Sequence, residues 1–364
     1  MPDTVAHHSL ALFEEFPKLH DALPWISLGH WPTPVVHARE FGRAKGLPNL
    51  YVKREDLSHP HGAGNKVRGL EFLLADAVRR GASLILTLSA AGSHHICKTA
   101  WHARQLGIDT IALVVDQPPA PYVATNLLLG ASVGTKYVPA KLVTIVPRLV
   151  FELLRPSNQR GGRPPLYIPS GGTTPLACIG HVNAAFELRR QIDEGLMPEP
   201  DYIHVALGSL GTAAGLALGC QLAGIRSHIV GAVVSYRLYA TRGRWARIAR
   251  RTLRLMRAHD PDVPEVSIDK SRLHVIGSAL GHGYACLSEP AMKLSRQFHE
   301  SEGIELDSTY TSKTLHGAMQ FIETHRLGDK VHLFWNTYHA IPPRPDLLAL
   351  ADRLASALRR YVTS

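Results

Sequence analysis

Lys66 stands in a sequence setting typical of a lysine that acts as a nucleophile. A strand-like segment ends in the charged residues 53–56, a glycine-rich turn covers 62–64, and Asn65-Lys66 opens an amphipathic pattern. Asparagine is a favoured N-cap, so the pattern predicts that Lys66 lies in the first turn of a helix. The field there opposes a protonated amine and is expected to lower its pKa, which suits Schiff-base formation. A solvent-facing lysine is the alternative.

A second glycine-rich turn, at residues 208–215, could bind phosphate. It follows a predicted strand and opens a predicted helix, so its backbone N–H groups could converge on an anion. The turn lacks the Gly-Lys-Ser/Thr of a nucleotide P-loop and the GxGxxG spacing of dinucleotide-binding folds. A tight strand-to-helix turn without a ligand is the alternative.

Small residues at 90–93, followed by His94 and His95, form another turn between a strand and a helix. Its N–H groups and the Ser93 hydroxyl could hold a carboxylate, although a plain N-cap serine is the alternative. No GxSxG elbow surrounds Ser93, which argues against a hydrolase nucleophile. An activated lysine, a phosphate site and a carboxylate site together match what pyridoxal phosphate needs to act on an amino acid.

Composition narrows the class of protein. The 364 residues, 45% hydrophobic and 19% charged, are typical of a globular protein with room for two domains. We expect no membrane span and no signal peptide, hence a cytoplasmic location. The four cysteines form no CxxC pair and are expected to be buried thiols. His94 and His95 are adjacent rather than helically spaced, and no HExxH occurs, so no metal site is predicted.

The net charge of +10 owes much to residues 242–257, which contain seven arginines. Apolar residues recur there at helical spacing, which predicts an amphipathic helix with a basic outer face. A solvated face or an oligomer contact is the favoured interpretation, and nucleic-acid or membrane-surface binding is the alternative. No aromatic stacking pattern accompanies the arginines, so no nucleic-acid partner is predicted.

Strands and helices alternate along the chain, which predicts an α/β fold of mainly parallel, twisted sheets with helices on both faces. A loop rich in Arg, Gly and Pro at 155–165 is the predicted domain crossover, which gives a small domain at 55–160 and a large domain at 1–54 plus 161–364. The predicted strands lie at 83–89, 108–115, 131–138, 166–169, 202–207, 228–234, near 274 and at 330–334. The predicted helices lie at 93–106, 122–129, 142–154, 175–192, 212–222, 242–257, 290–302 and 345–361.

Ordered motifs from about residue 29 to 337 give the chain a family resemblance. It resembles the 1-aminocyclopropane-1-carboxylate deaminase / D-cysteine desulfhydrase family of fold-type II pyridoxal-phosphate enzymes, whose fold is that of the tryptophan synthase beta chain. The matching motifs are Lys-Arg-Glu-Asp at 53–56, Gly-Asn-Lys-x-Arg at 64–68, the turn at 93–95, the segments 169–173 and 180–185, the glycine turn at 208–215, Gly-x-Gly-Tyr at 281–284 and Leu-Asp-x-x-Tyr-Thr-x-Lys at 306–313.

The resemblance implies a role for each matching residue. Lys66 would form the Schiff base and move the Cα proton, Ser93 would bind the substrate carboxylate, and Tyr284 and Tyr310 would face the substrate from opposite sides. The implied cofactor-binding residues are Lys66, Asn65, His94, Gly208, Ser209, Leu210, Gly211, Thr212, Thr311 and Thr337. The implied substrate-binding residues are Ser93, His94, His95, Tyr284 and Tyr310.

The chain also departs from the family pattern. Thr311 stands where the deaminases have a glutamate near the pyridine nitrogen; a hydroxyl holds that proton less well, which disfavours cyclopropane opening and leaves loss of thiolate feasible. His94 replaces an asparagine, Leu210 replaces a glycine, and residues 336–339 replace His-Thr-Gly-Gly. These changes at the expected pocket wall suggest a different substrate, or a different outcome such as β-replacement or racemisation.

The predicted activity is that of a lyase or deaminase acting on a small amino acid. Cα deprotonation and β-elimination, as in D-cysteine desulfhydrase, would release a 2-oxo acid and ammonia. The alternatives are 1-aminocyclopropane-1-carboxylate deamination, a specialised β-replacement or racemase activity, and a non-catalytic binding protein that uses the arginine helix. A homodimer is the expected assembly.

Overall fold

Two β-sheets organise the chain. The computed structural model describes residues 9–60, 64–338 and 345–363. Among these the strands are β1 (Val35–His37), β2 (Leu50–Arg54), β3 (Leu84–Ala90), β4 (Asp109–Val115), β5 (Lys136–Pro139), β6 (Leu166–Ile168), β7 (Tyr202–Leu207), β8 (His228–Val233), β9 (Leu273–Ile276) and β10 (His332–Asn336). The larger sheet has the order β1-β2-β10-β7-β8-β9, parallel except for β1, and the smaller sheet is parallel with the order β5-β4-β3-β6.

Helices connect nearly all of the parallel strands. In the described residues the α-helices are α1 (Ala11–Glu15), α2 (Pro17–Ala22), α3 (Arg39–Lys45), α4 (Lys66–Arg79), α5 (His94–Gln105), α6 (Pro121–Ser132), α7 (Ile145–Leu154), α8 (Pro175–Asp193), α9 (Gly211–Leu222), α10 (Arg242–His259), α11 (Glu289–Glu302), α12 (Thr311–His325) and α13 (Ser356–Thr363). A 3₁₀ helix at Pro345–Arg353 precedes α13.

Both faces of each sheet are covered by helices, because successive strand residues point to opposite faces. In β10, Leu333 and Trp335 pack with α8, α9 and α10, whereas Phe334 packs with α3, α11 and α12. In β4, Ala112 and Val114 face α5 and α6, and Leu113 faces α7. The predicted α/β class with helices on both faces is therefore confirmed.

Most predicted elements match to within a few residues, and two do not. Residues 131–132 continue α6 instead of beginning a strand, so β5 starts only at Lys136. The predicted final helix at 345–361 is a 3₁₀ helix followed by the short α13. The sequence pattern did not predict β1, α1, α2, α3 or α12.

The smaller sheet reaches beyond the predicted small domain. Strand β6, which the boundary at 160 assigned to the larger domain, pairs with β3. The C-terminal residues Leu347, Leu354 and Leu358 are buried in the core formed by α5 and α6. The smaller lobe therefore includes β6 and the C-terminal residues as well. The predicted domain boundary at residue 160 stays a prediction.

A buried charge network joins the start of α4 to α8 and β2. Arg68 Nε donates to Glu55 Oε2 at 2.7 Å and its Nη1 to Glu187 Oε2 at 3.0 Å, while Lys53 Nζ donates to Glu187 Oε1 and, at 2.7 Å, to Gln191 Oε1. All four charged residues of this network, Lys53, Glu55, Arg68 and Glu187, are buried. Burial alone would raise the pKa of Glu187, but Arg68 and Lys53 outweigh it and hold the pKa at about 2.

We expect Glu187→Gln to destabilise the protein by roughly 3–5 kcal/mol, because removing one partner leaves Arg68 and Lys53 buried without full compensation. Urea unfolding followed by circular dichroism measures this loss. The control is Glu194→Gln just past the end of α8, where the side chain is exposed; there we expect a change within about 0.5 kcal/mol.

The network also predicts the sign of the acid dependence. A carboxylate with a depressed folded-state pKa stabilises the fold fully above its ordinary value of 4.5, and this stabilisation is lost as the pH falls towards about 2. The wild type should therefore lose more stability than Glu187→Gln over that pH window. Equal slopes for the two proteins would contradict the assignment.

Candidate active site

A cavity of about 780 Å³ lies where the carboxyl ends of strands from the two sheets come together. The turns after β3, β6, β7 and β10 all contribute to its wall, as expected for a ligand site of an open α/β sheet. The structure brings thirteen of the predicted residues together there: Asn65, Lys66, Ser93, His94, His95, Gly208, Ser209, Leu210, Gly211, Thr212, Tyr284, Tyr310 and Thr337.

Lys66 is the first residue of α4, and its Nζ donates to the carbonyl oxygen of Gly171 at 3.3 Å. Burial lowers its pKa to about 8. The predicted N-cap is wrong: Asn65 has helical dihedral angles, and its side chain makes no cap hydrogen bond but donates from Nδ2 to Thr212 Oγ1 at 2.7 Å. The amine is therefore poised mainly by desolvation.

The turn at residues 208–212 presents the free end of α9 to the cavity. The first N–H groups of a helix have no acceptor inside it, so this end attracts an anion. Thr173 Oγ1 donates to Ser209 Oγ at 2.7 Å and braces the turn from the neighbouring loop. The set of donors fits a phosphate group.

Leu210 has the left-handed φ of 73° at the N-cap of α9. This conformation is ordinarily taken by glycine and costs about 1–3 kcal/mol in other residues. The side chain is buried in the core that α8 and α9 share, which offsets the strain. Leucine can thus replace the family glycine without changing the path of the turn.

The hydrogen bonds of Asn126 determine the tautomer of His94. Asn126 Nδ2 donates to Gly92 O at 2.9 Å and to His94 Nδ1 at 3.0 Å, so Nδ1 is an acceptor and the ring proton lies on Nε2. Burial, together with nearby Lys98 and Lys66, lowers the pKa of His94 to about 3, which keeps the ring neutral. Buried Nε2 finds no acceptor among the described residues. This free N–H fits the phenolic oxygen of pyridoxal phosphate.

Ser93 and His95 flank this donor differently. Ser93 is buried and its hydroxyl makes no cap hydrogen bond, so the N-cap alternative is not what the side chain does. His95 lies between two hydroxyls, with Nε2 3.4 Å from Thr87 Oγ1 and Nδ1 3.3 Å from Thr99 Oγ1. Burial lowers its pKa to about 3, so His95 is a neutral, fixed part of the wall.

Tyr284 and Tyr310 contact each other at the cavity wall. Their hydroxyl oxygens are 2.9 Å apart and their rings meet edge to face. That they face the substrate from opposite sides stays a prediction. Burial raises the pKa of both phenols, so both keep their protons at neutral pH.

Thr311 is the one predicted site residue that does not line the cavity among the described residues. Its hydroxyl donates to Asp307 Oδ1 at 2.7 Å and accepts from the backbone N–H of Asp307 at 2.8 Å. Asp307 does line the cavity, and its carboxylate accepts three further N–H groups at the start of α12. A contact between Thr311 and the cofactor ring therefore stays a prediction.

The sequence did not place Lys98 or the arginine helix at the cavity wall, whereas it did predict a changed wall at residues 336–339. Lys98 lies one helical turn beyond His94, a spacing that places both on one face of α5. Tyr338 contacts the His94 ring at a centroid distance of 5.4 Å, so the replaced glycine at this position does alter the wall; His339 lies outside the described residues. The arginine helix also reaches the cavity, through Arg244, Arg247 and Arg251.

Among the described residues, no group of three or more histidine, cysteine, aspartate or glutamate side chains is placed to hold a metal ion. None of the helices described combines the length and the apolar character needed to cross a membrane.

Comparisons with known proteins agree with the predicted fold and cofactor. Residues 26–337 match the family model described as pyridoxal-phosphate dependent enzyme. The chain is 34% identical to nocardicin C-9' epimerase of Nocardia uniformis, over 79% of this chain and 85% of that one. It is 28% identical to D-cysteine desulfhydrase of Salmonella paratyphi A, over 84% of this chain and 90% of that one.

A solved structure gives the same assignment. The crystal structure of an ACC deaminase homologue superposes with a TM-score of 0.75 at 27% identity and covers 94% of this chain and 99% of that one. Fold and site define a fold-type II enzyme that uses pyridoxal phosphate. The chain belongs to the pyridoxal-phosphate dependent enzyme family, and its resemblance to the 1-aminocyclopropane-1-carboxylate deaminase / D-cysteine desulfhydrase group is confirmed.

The lowered pKa of Lys66 can be measured in the protein freed of cofactor. Below about pH 8 the amine is protonated and unreactive, and above it the amine is neutral. We expect the rate of acetylation by dilute acetic anhydride, followed by mass spectrometry of the Lys66 peptide, to rise with a midpoint near pH 8. The same peptide in the urea-unfolded protein serves as the control and should show a midpoint near 10.4. A folded-state midpoint close to the unfolded one would refute the effect of burial.

Proposed function

We propose that this enzyme removes the Cα proton of a small amino acid and eliminates its β-substituent, releasing a 2-oxo acid and ammonia. The observation that carries the proposal is the buried Lys66 amine, with a pKa lowered to about 8, in one cavity with the Ser93 turn and the free end of α9. These three features supply the base, the carboxylate site and the phosphate site that the reaction needs.

The residues that would hold pyridoxal phosphate are Lys66 at its aldehyde, the turn at 208–212 at its phosphate, and His94 Nε2 at its phenolic oxygen. When bound, the cofactor withdraws the electron pair that deprotonation leaves on Cα. Asn65 assists indirectly, since its bond to Thr212 Oγ1 ties the start of α4 to the start of α9.

The protein's own groups divide the proton transfers. Lys66 Nζ, whose pKa is lowered to about 8, would be the base that takes the Cα proton of the bound substrate. The Cβ–substituent bond then breaks with its electron pair leaving on sulfur or another electronegative atom. Tyr310, backed by Tyr284, holds the proton that a departing thiolate requires. Water hydrolyses the unsaturated amine that is released.

Ser93 would hold the substrate carboxylate, with the N–H groups at the start of α5 beside it. His94 and His95 are neutral, so the start of α5 carries no charged side chain at these two positions. The substrate carboxylate would then be bound by the helix N–H groups and the Ser93 hydroxyl. The Thr311 hydroxyl donates its hydrogen to Asp307, so it cannot also donate to the pyridine nitrogen of the cofactor. A ring without that proton withdraws electrons less strongly, which supports loss of a good leaving group over opening of a cyclopropane ring.

A second candidate is epimerisation or racemisation at Cα. It is favoured by the 34% identity to nocardicin C-9' epimerase, and it shares the Lys66 deprotonation step. In that case the proton returns to the opposite face and no β-substituent is lost. The product tells the two apart.

The test measures ammonia and 2-oxo acid released by the holoenzyme from D-cysteine, 3-chloro-D-alanine and 1-aminocyclopropane-1-carboxylate, with chiral analysis of the remaining amino acid. We expect release from the first two substrates and a loss of at least about 10³-fold in Lys66→Ala, because that variant lacks the base. The control, Lys136→Ala, removes an exposed lysine and should retain full activity.

The proposal would be wrong if Lys66→Ala released product as fast as the wild type. Inversion of configuration without 2-oxo acid would replace elimination by the epimerase candidate. Turnover of the cyclopropane substrate alone would replace it by the deaminase.

We further infer a homodimer, supported by an apolar surface on α7 and the turn before it. Val143, Val146 and Phe151 are 86%, 65% and 52% exposed, and Leu142, Val150 and Leu154 extend the same surface. An exposed apolar patch of this kind marks an interface, and a second copy related by a two-fold axis is the commonest partner.

Light scattering after size-exclusion chromatography should give twice the 39.9 kDa chain mass. We expect the double change Val146→Glu, Val150→Glu to produce monomer, because two charges in an apolar interface stay unpaired. Val78→Glu, at an exposed valine of α4, is the control and should remain dimeric. A monomeric wild type would contradict the inference.

A cytoplasmic location is part of the same proposal. Its support is the set of four free cysteines, of which Cys97, Cys178 and Cys220 are buried thiols. Free thiols are usual where the cell keeps them reduced.

The proposed partner is a small-molecule substrate and not a nucleic acid. The position of the arginines supports this, because they line the mouth of the cavity.

A further inference from the structure

Lys98 is a buried lysine of α5. It is only 2% exposed and lines the cavity. Its Nζ has no hydrogen-bond partner among the described residues. The cofactor's phenolic oxygen would account for the free N–H of His94, but nothing in the proposed reaction uses Lys98. Burial lowers the pKa of Lys98, because the charged amine is unfavourable there without an acceptor. An anion supplied by the ligand would stabilise the charged amine at this position.

A second group of cations lies at the mouth of the same cavity. Arg244, Arg247 and Arg251 are spaced to share one face of α10, and all three are exposed and line the cavity. The ion pair found on α10 among the described residues is at its other end, between Arg257 and Glu265. Arg244 stacks on the Tyr239 ring at 4.7 Å, which holds its guanidinium near the opening.

The helix itself is not stabilised by this arrangement. Arg242 and Arg244 occupy the first turn of α10, which contains no acidic residue. Cations are unfavourable at a helix N-terminus because they meet the positive end of the dipole. An anion bound between these arginines would relieve the repulsion. The arginine face is therefore better explained by a ligand than by folding.

The charge of the cavity shows what kind of ligand it lacks. Besides Lys66, its described lining residues include four cations, Lys98, Arg244, Arg247 and Arg251, and one acid, Asp307, which already accepts hydrogen bonds from the start of α12. A phosphate group contributes about −1.5 to −2 charges. A neutral amino acid adds no net charge, so the cavity with cofactor and such a substrate would stay positive.

We propose that the substrate is an amino acid with a second anionic group, a carboxylate, sulfonate or phosphate, which Lys98 binds inside the cavity and the arginines attract at its mouth. The inference rests on the proposed function, because it assumes that an amino acid occupies this site. Ser93 and the start of α5 hold the α-carboxylate, and Lys98, one turn further along α5, holds the second anion. Attraction by exposed arginines acts mainly on association and weakens with salt.

The experiment titrates the holoenzyme with pairs of acidic and neutral amino acids and follows the cofactor absorbance as the substrate amine displaces Lys66. The isosteric pairs are aspartate with asparagine and glutamate with glutamine, and phosphoserine is compared with serine, its uncharged parent. Each compound is used as both enantiomers, at low and high ionic strength (about 20 mM and about 500 mM NaCl). We expect at least one acid to bind about tenfold or more tightly than its neutral counterpart. The pair with the largest ratio identifies the anionic group.

Variants show which residues cause the preference for the acid over its neutral counterpart. Lys98→Met should bring the ratio of the two affinities to within about twofold of unity. Lys98→Arg keeps the charge and should restore much of the preference. Arg247→Gln with Arg251→Gln should reduce the association rate for the acid and flatten its salt dependence. Arg254→Gln removes an exposed arginine of α10 that is not among the lining residues, and should behave as the wild type.

Two results would overturn the inference. One is equal or tighter binding of every neutral counterpart to the wild type, which needs no variant to fold. The other is an unchanged ratio in a Lys98→Met protein with the wild-type circular dichroism spectrum. In both cases the absorbance change shows that amino acids do bind, so the proposed function stands. Absence of any absorbance change with all twelve compounds would overturn this inference alone, because the proposed function is tested separately with D-cysteine and 3-chloro-D-alanine.

Discussion

The buried Arg68 guanidinium is the constraint on which the position of the reactive lysine depends. It lies two residues after Lys66 in α4 and binds carboxylates from two other parts of the chain, Glu55 beside β2 and Glu187 on α8. Its backbone also packs closely, since a side chain at Gly180 of α8 would overlap the Arg68 carbonyl. The first turn of α4 is thus fixed by the ion pairs of Arg68 and by its close backbone contact with α8. These contacts also fix the position of Lys66, which lies in the same turn.

A second consequence of burial is the electrostatic character of the cavity. Burial lowers the pKa of His94 and His95 from 6.5 to about 3, so both stay neutral even at mildly acidic pH, and it lowers the pKa of the reactive lysine to about 8. The same desolvation that makes Lys66 a usable base makes an unpaired Lys98 unfavourable until an anion arrives. Desolvation therefore contributes both to the reactivity of Lys66 and to the proposed preference for an anionic substrate. The two lysines differ in their neighbours: Lys66 Nζ donates to the Gly171 carbonyl, whereas Lys98 Nζ has no hydrogen-bond partner among the described residues.

Side-chain hydrogen bonds decided several roles that spacing along the chain could not. The tyrosine pair, the commitment of Thr311 to Asp307, and the tautomer of His94 all involve partners at distances that sequence separation does not reveal. Asn65 was assigned to a cap by residue preference, yet its amide binds Thr212 Oγ1 of α9. Local propensity is a weak guide where a tertiary partner offers a better hydrogen bond.

The sequence by itself determined the class of fold, most strands and helices, the cofactor, and most of the residues that line the cavity. These follow from hydrophobic periodicity and from motifs at strand-to-helix turns, which are local properties. Only the tertiary structure decided that β6 joins the smaller sheet and that the C-terminal helices pack against α5 and α6. It also decided that the arginine helix lines the cavity and that buried Lys98 has no hydrogen-bond partner among the described residues. The physical reason is that burial and proximity are properties of the packed molecule. The charge of a side chain can be read from the chain, but the dielectric surroundings and the neighbours that give that charge a function arise only when distant segments pack together.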